Sequence, residues 1–315
     1  MSRQKELVRE LFDREASKWT DWAYDPDESF DIYPTGKARL AVIRRELERF
    51  MPDKKARLID AGCGGGDIAM ALEGEGHSVH GVDFAPSMIQ ICRDRYEAAF
   101  PGRGDAALRF QVADVEDFAL RGEFDGAYAV GLLEYLESDQ PLLGALCRHV
   151  APGGVVMVEC RNRLFNALSG NAFTLAEARS DHLGALAAEL DDVARFSPVQ
   201  AADIPSRVVE MGERIAKLPS FATLRDVPRD LGIQFHADIA RRMFTPAQIE
   251  REAAQAGLRL RHVIYYHLHL LSPRLEASLP RFFNALAMAA QPLGETPAGA
   301  FLGTCFLAVM EKVRP

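Results

Sequence analysis

Between residues 56 and 160 the sequence alternates short apolar runs with segments of helical character. Five runs have the length and composition of buried strands: ARLIDA (56–61), SVHGVD (78–83), RFQVAD (109–114), FDGAYAV (124–130) and GGVVMVEC (153–160). The helical segments between them lie near 67–74, 86–99 and 139–150. Strands that alternate with helices favour βαβ units. This pattern therefore predicts an α/β fold with a parallel sheet and helices on both faces.

Regular alternation stops after residue 160. Residues 161–244 are mostly helical with few strand signals, and we interpret them as an inserted helical cap over the substrate. After a helix signalled by Thr245, two strand-like runs at 259–271 and 300–313 would complete a seven-stranded sheet. The predicted division is an N-terminal helical lid at 1–50, a core formed by 51–160 and 245–315, and the cap insertion at 161–244.

Composition and charge exclude several classes of protein. The net charge of −8 and the lack of a basic stripe argue against a nucleic-acid partner. The five cysteines are scattered without a CxxC pair, which argues against a disulfide framework and a zinc site. The charged N-terminus lacks the apolar stretch of a secretory signal. The apolar stretch 282–310 is interrupted by polar residues and prolines, so no membrane span is predicted and the expected location is cytoplasmic.

The segment LIDAGCGGG, residues 58–66, contains four glycines and joins the first strand-like run to the first helical segment. Glycines at such a junction permit left-handed backbone angles and let a ligand approach the main chain. A dinucleotide-binding GxGxxG loop would require glycine at position 67. This chain has Asp67 there, whose carboxylate would repel a pyrophosphate. A phosphate loop of the NTPase type also fails, because no Gly-Lys-Ser/Thr sequence follows.

The pattern that this segment fits is D-x-G-x-G-x-G, formed by Asp60, Gly62, Gly64 and Gly66. It resembles the glycine loop of the class I S-adenosylmethionine-dependent methyltransferases. The resemblance implies a Rossmann-like sheet of seven mostly parallel strands, an antiparallel last strand, and S-adenosyl-L-methionine as cofactor. That molecule has no phosphate, and its sulfonium and ammonium cations would attract the Asp60 carboxylate. The alternative is a tight strand–helix turn that binds nothing.

A second acid, Asp83, ends the next predicted strand roughly 20 residues after the loop, where a carboxylate can accept hydrogen bonds from ribose hydroxyls. Its alternative role is to cap the following helix. The segments around residues 114, 131 and 153 resemble later family segments in order and spacing. The cofactor-binding residues implied by the resemblance are Asp60, Ala61, Gly62, Cys63, Gly64, Gly66, Asp83, Phe84, Met88, Asp114, Val115, Gly131 and Leu132.

The N-terminal segment FDREASKWTDWAYD resembles the aromatic lead-in that folds over the cofactor in many small-molecule methyltransferases. The resemblance implies that Trp19 contacts the cofactor, with Trp22, Tyr24 and Tyr33 as further members of the lid. Arg39 is a candidate partner for the cofactor carboxylate through a charge-assisted hydrogen bond. The alternatives are aromatic core residues and a solvent-exposed helix arginine.

Methyl transfer requires an aligned acceptor atom, and a hydroxyl acceptor also needs a base for its proton. The candidate bases at strand ends are Glu134, Tyr135 and His267. Arg161 and Arg163 are candidates for holding a carboxylate or phosphate of the acceptor, or else form a surface pair. His267 and His269 share one face of a predicted strand, but no third ligand has matching spacing, so no metal site is predicted.

These observations predict a methyltransferase that acts on a small organic acceptor. A hydroxyl oxygen of a sugar, lipid or natural-product intermediate is the expected target, by analogy within the family. The alternatives are an N-methyltransferase and a protein that binds S-adenosylmethionine without catalysis. The apolar side chains of 282–288 could line the acceptor pocket, dock on the cap or form the contact of a homodimer.

Overall fold

The computed structural model describes residues 2–23, 30–52, 54–104, 107–170, 174, 186, 193–218 and 239–314. The side chain of Trp22, the whole of Tyr24 and most of the predicted cap lie outside this description. The division of the chain into lid, core and cap stays a prediction.

A seven-stranded sheet forms the centre of the molecule. The strands are β1 (Arg57–Ala61), β2 (Ser78–Asp83), β3 (Leu108–Val112), β4 (Phe124–Ala129), β5 (Val150–Arg161), β6 (Leu258–Leu268) and β7 (Gly303–Lys312). Their order across the sheet is β3-β2-β1-β4-β5-β7-β6. Neighbours from β3 to β5 are parallel, whereas β7 is antiparallel to both β5 and β6. The predicted fold class, with its antiparallel last strand, is confirmed.

Helices lie on both faces of this sheet. They are α1 (Arg3–Arg14), α2 (Ala16–Ala23), α3 (Thr35–Phe50), α4 (Asp67–Gly74), α5 (Pro86–Ala99), α6 (Gln140–His149), α7 (Arg163–Leu168), α8 (Ile204–Ala216), α9 (Pro246–Gln255), α10 (Pro280–Ala289) and α11 (Gly299–Leu302). The predicted start of α9 is confirmed, since the Thr245 hydroxyl accepts a hydrogen bond from the Gln248 amide at 3.2 Å. Among the described residues, no helix is both long and apolar enough to cross a membrane.

The core divides into two apolar layers because successive strand side chains point to opposite faces of the sheet. In β1, Leu58 belongs to the layer covered by α3, α4 and α5, whereas Ile59 belongs to the layer covered by α6 and α9. Both side chains are fully buried. The strands of the sheet centre are thus buried on both sides, and polar side chains gather at the strand ends.

Three boundaries differ from the sequence-based expectation. The N-terminal helical segment breaks at Glu15, whose amide still donates to the Leu11 carbonyl, and α2 begins at Ala16. The last strand begins at Gly303, because α11 occupies the first part of the predicted run. Strand β6 ends at Leu268, just after His267 takes a left-handed φ of 52°.

Candidate active site

A cavity of about 610 Å³ opens at the carboxyl ends of β1, β2, β4 and β5. This is the edge at which parallel α/β sheets bind ligands. The predicted cofactor residues that line it are Trp19, Arg39, Asp60, Gly62, Cys63, Gly64, Asp83, Phe84, Met88, Asp114, Val115, Gly131 and Leu132. The acceptor-side candidates Glu134, Tyr135, Arg161 and His267 line the same cavity. The structure therefore brings together residues from the first helices, the sheet and the C-terminal part of the chain.

The glycine loop follows β1 and bends back against β2. The amides of Gly62 and Cys63 both donate to the Val82 carbonyl, at 2.8 and 3.1 Å. Gly66 has a φ of 77°, and a Cβ placed there would lie 2.9 Å from Phe110 Cζ. Ala61 and Gly66 do not line the cavity. Gly66 instead packs against Phe110, and the predicted cofactor contacts of Ala61 and Gly66 stay predictions.

Two buried carboxyls flank the loop. The Asp83 carboxylate accepts a hydrogen bond from the Gly64 amide at 3.1 Å and another from the Ala85 amide at 2.9 Å. Burial raises the pKa of Asp83 to about 6, although these two bonds act in the opposite direction. Burial also raises the pKa of Asp60 to about 8, opposed by a hydrogen bond from Tyr128 and reinforced by the charge of Asp83. Both groups favour a cationic or hydrogen-bond-donating ligand.

Asp67, the residue that breaks the dinucleotide pattern, has a structural partner. Its carboxylate is held by the Arg95 guanidinium, with one N···O distance of 2.6 Å, and Arg95 also donates to the Gly65 carbonyl at 2.7 Å. Arg95 thereby ties α5 to the glycine loop. The acid at this position is neutralised without a ligand.

Helix α1 closes one side of the cavity through polar contacts. Lys5 forms ion pairs with Asp114, at 2.5 Å, and with Glu116. Further along the chain, the Ser87 hydroxyl donates to the Asp13 carboxylate at 2.5 Å, and the Ser87 amide donates to the same oxygen at 3.2 Å. The N-terminal segment therefore lies against the ends of β2 and β3.

Aromatic and apolar side chains line the same side. Trp19 packs with Phe84 and Met88 in one apolar cluster, and Phe12 meets Trp19 edge-on with 5.4 Å between ring centroids. Tyr33 also lines the cavity and is buried. These surfaces are apolar and partly flat, which suits a nucleobase.

Glu159 at the end of β5 organises the centre of the cavity. Arg39 binds its carboxylate with two N–H groups, at 2.7 and 3.0 Å, and the Gly131 amide donates to it at 2.8 Å. Gly131 has a φ of 67°, and a Cβ there would lie 2.6 Å from Arg39 Nη2. Arg39 lies in the cavity as predicted, but its carboxylate partner within the chain was missed. The position of Glu159 near the end of a predicted strand was the only sign in the sequence that it could lie at the site.

The acceptor-side candidates fall into two groups. Glu134 forms an ion pair with Arg161, and Tyr135 is buried in edge-on contact with Phe12 at 5.4 Å. Arg163 does not line the cavity, and its predicted role in holding the acceptor stays a prediction. Arg241, which the sequence did not single out, lines the cavity and lies over the Tyr135 ring at 5.7 Å.

His267 lies deep in the cavity wall. Its ring stacks on Tyr33 at 3.7 Å between centroids, and its backbone N–H donates to the Tyr33 hydroxyl at 3.2 Å. Burial, the neighbouring His269 and the cations Arg161 and Arg39 hold the pKa of His267 well below its usual value. Its imidazole is therefore neutral at physiological pH.

His269 does not line the cavity. Its ring packs edge-on against Phe165 and Phe283, with centroids 5.1 and 4.7 Å away. Burial lowers the pKa of His269 to about 4. In the part of the chain that the structure describes, no group of three or more side chains is arranged to hold a metal ion.

The strand order, the antiparallel β7 and the acidic glycine loop after β1 are similar to those of the class I S-adenosylmethionine-dependent methyltransferases, and the comparisons with known proteins support that class. Residues 58–154 match the sequence profile of a methyltransferase domain. This match runs from Leu58 in β1 to Gly154 near the start of β5, and it includes the glycine loop and the ends of β1 and β2 at the predicted cofactor site.

Two relatives are ubiquinone biosynthesis O-methyltransferases. The protein of Thiobacillus denitrificans is 28% identical over 156 residues, which are 48% of this chain and 61% of that protein. The protein of Chromobacterium violaceum is 28% identical over 201 residues, which are 62% of this chain and 78% of that protein. The first match thus spans less than two thirds of its relative.

Among solved structures, the magnesium protoporphyrin IX methyltransferase of Synechocystis PCC 6803 is similar over nearly its whole length. With bound S-adenosylhomocysteine it gives a TM-score of 0.56 at 11% identity, covering 98% of this chain and 99% of that one. With bound S-adenosylmethionine it gives a TM-score of 0.53, also at 11% identity, covering 99% and 98%. At this identity the likeness shows a shared fold.

Proposed function

We propose that the protein transfers the methyl group of S-adenosylmethionine to a hydroxyl oxygen of a small organic acceptor. The observation that supports this most strongly is one continuous cavity, with the acidic glycine loop at one end and the polar ends of β5 and β6 at the other. A volume of about 610 Å³ lies within the usual range for small-molecule sites. The O-methyltransferase names of the two relatives favour oxygen as the target.

At the cofactor end, the residues fit a cationic nucleoside. Each Asp83 oxygen accepts one backbone N–H and retains a lone pair for a ribose hydroxyl. Trp19, Phe84 and Met88 offer apolar surface for the adenine ring. Asp114, already at the cavity wall with Lys5, is proposed to accept from the adenine amine.

The centre of the cavity is proposed to hold the methionyl portion. Gly131 and Leu132 line this region beside the pair formed by Arg39 and Glu159. The guanidinium suits a carboxylate, and the Glu159 and Asp60 carboxylates suit an ammonium group. When bound, S-adenosylmethionine supplies a methyl carbon already activated by its sulfonium.

At the acceptor end, this chain's residues bind and orient the hydroxyl. The Nε2 atom of His267 is buried and has no hydrogen-bond partner among the described residues. A neutral imidazole nitrogen with a free lone pair can accept a hydrogen bond from the acceptor hydroxyl. Arg161 and Arg241 add positive charge to this part of the cavity and favour an acceptor with an anionic group.

The direct experiment supplies the purified protein with S-adenosylmethionine carrying a carbon-13 methyl group and a metabolite extract. We expect label in one or a few small molecules, and the methyl carbon-13 shift will identify attachment to oxygen. Label on nitrogen would instead support the N-methyltransferase alternative. If the protein binds S-adenosylhomocysteine but yields no labelled product, the proposed catalysis is refuted and the protein only binds the cofactor.

A further inference from the structure

The acceptor end of the cavity needs a base that the sequence-based candidates do not provide. Glu134 is engaged by Arg161, and Glu159 is engaged by Arg39 and the Gly131 amide. Burial raises the pKa of Tyr135, so its phenol keeps its proton. Because its pKa is lowered, the His267 imidazole can accept a hydrogen bond but is too weak a base to take the acceptor's proton.

One carboxyl in the cavity wall differs from these. Glu276 follows the short 3-10 helix Pro273–Leu275 and is half-buried. It lines the same cavity, together with Ala277 and Pro280. Its side chain forms no hydrogen bond or ion pair with any residue in the described ranges. Burial raises the pKa of Glu276, and no described cation opposes this shift.

The segment that presents Glu276 is fixed against the segment before α3. Arg281 binds Asp31 at 2.6 Å, and the Asn284 amide donates to the Phe30 carbonyl at 3.0 Å. These contacts place Glu276 on the wall formed by residues 30–33 and the end of β6. The adenine end, formed by β2 and α5, lies at the opposite side of the sheet centre.

We propose that Glu276 is the general base that receives the proton of the acceptor hydroxyl. This assignment rests on the proposed function. In the transfer, the acceptor oxygen forms a bond to the methyl carbon, the carbon–sulfur bond breaks with its electron pair going to sulfur, and the hydroxyl proton moves to the Glu276 carboxylate. Since Glu276 is half-buried, it can return that proton to solvent when the product leaves.

The charge around this carboxyl is set by a small group of neighbours in the cavity wall. The titratable or charged side chains that share the acceptor end of the cavity with it are Asp31, Tyr33, Glu134, Tyr135, Arg161, Arg241, Tyr266, His267 and Cys305. Asp31 is paired with Arg281, and His267 is neutral. Burial of the carboxyl, and not a nearby anion, therefore raises the pKa of Glu276. A carboxylate that is more basic than usual is suited to accept a proton in a transition state.

The test compares wild type with Glu276→Gln and Glu276→Asp, using the acceptor that the carbon-13 labelling identifies. General-base loss typically lowers the rate by about 10²–10⁴-fold, so we expect a fall of that order in kcat for Glu276→Gln. Glu276→Asp should recover part of it. The affinity for S-adenosylhomocysteine, measured by calorimetry, should change by less than about twofold, since Glu276 lies away from the cofactor end. Glu213→Gln, an exposed carboxylate on α8, is the matched control.

A second readout separates proton transfer from a structural effect. The acidic limb of the pH profile of kcat should disappear in Glu276→Gln, whereas a merely structural residue would lower the rate at every pH. An unchanged kcat, or an unchanged acidic limb, overturns the assignment of Glu276 while the methyltransferase function stands. Absence of labelled product with wild type would instead overturn the proposed function, and the base with it.

Discussion

Replacement of Asp83 by Asn tests the cofactor end of the cavity most directly. The variant has nearly the same shape, but one acceptor oxygen becomes an NH₂ donor. The two carboxylate oxygens face the backbone N–H groups of Gly64 and Ala85 at 3.1 and 2.9 Å. Whichever way the amide is oriented, one N–H therefore faces another donor, and one ribose hydroxyl loses its charged acceptor.

The expected loss can be worked out from these contacts. A hydrogen bond to a charged group contributes about 1.5–3 kcal/mol. The lost bond to the backbone is absent from both free and bound variant, so it changes folding stability and not binding. The lost ribose bond changes binding alone, and its 1.5–3 kcal/mol corresponds to a Kd for S-adenosylhomocysteine raised roughly 10- to 150-fold.

Titration calorimetry at pH 8 is the assay, because the pKa of Asp83 is about 6 and the wild-type carboxyl is then ionised. Asp94→Asn, on the exposed side of α5, is the matched control and should bind as wild type does. Thermal unfolding checks that the Asp83→Asn variant is folded at the assay temperature. If the folded variant binds with a Kd within about twofold of wild type, the assignment is refuted.

Four further predictions concern the same cavity and its loop. Binding of S-adenosylhomocysteine at pH 7 should release protons, because burial raises the pKa of Asp60 to about 8 in the free protein and the ligand ammonium favours its ionised form. Calorimetry in buffers of different ionisation enthalpy measures this release, and equal release from Asp60→Asn would contradict it. Because the pKa of Asp60 is raised in the folded protein, this carboxyl contributes fully to the free energy of unfolding below pH 4, and the contribution is lost as the pH rises towards 8. Asp60→Asn should therefore flatten the pH dependence of the unfolding free energy over this range. Gly66→Ala should destabilise the protein by about 1–3 kcal/mol more than Gly64→Ala, since both have positive φ but only the Cβ at 66 meets Phe110; equal shifts in the thermal unfolding midpoint would be inconsistent with this packing. Ligand binding should change the fluorescence of Trp19, one of two tryptophans, and Trp19→Phe should remove most of the change; a full signal in that variant would exclude Trp19 from the site.

The features that the sequence predicted are those set by local pattern. Strand β2 was expected at 78–83 and spans those residues, because its short apolar pattern is contained in the segment itself. The glycine loop was also predictable, since left-handed φ at Gly62, Gly64 and Gly66 requires that residue type. The strand order agrees with the family resemblance, which periodicity alone could not supply.

The features that the sequence did not predict depend on long-range contacts. Arg39 and Glu159 are 120 residues apart, and nothing in either segment indicates that the guanidinium will meet that carboxylate. Glu276 lies in a short segment with no periodicity, and its place at the cavity depends on long-range contacts such as Arg281 with Asp31 and Asn284 with the Phe30 carbonyl. The sequence also did not distinguish Arg161, which ends β5 at the cavity, from Arg163, which begins α7 and does not line the cavity.

The two sides of the cavity are held by different kinds of contact. The glycine loop is fixed by uncharged backbone hydrogen bonds to Val82 in addition to its contacts with Asp83 and Arg95. In contrast, α1 is joined to the body by the ion pairs of Lys5 with Asp114 and Glu116, and residues 30–33 by that of Asp31 with Arg281. Ion pairs at a partly exposed surface weaken as mobile ions accumulate, since the Debye length falls from about 10 Å at 0.1 M to 3 Å at 1 M. Concentrated potassium chloride should therefore loosen α1 and residues 30–33 more than the glycine loop. A bound nucleoside would then dissociate faster, so its residence time would report how firmly α1 and residues 30–33 close over the cavity.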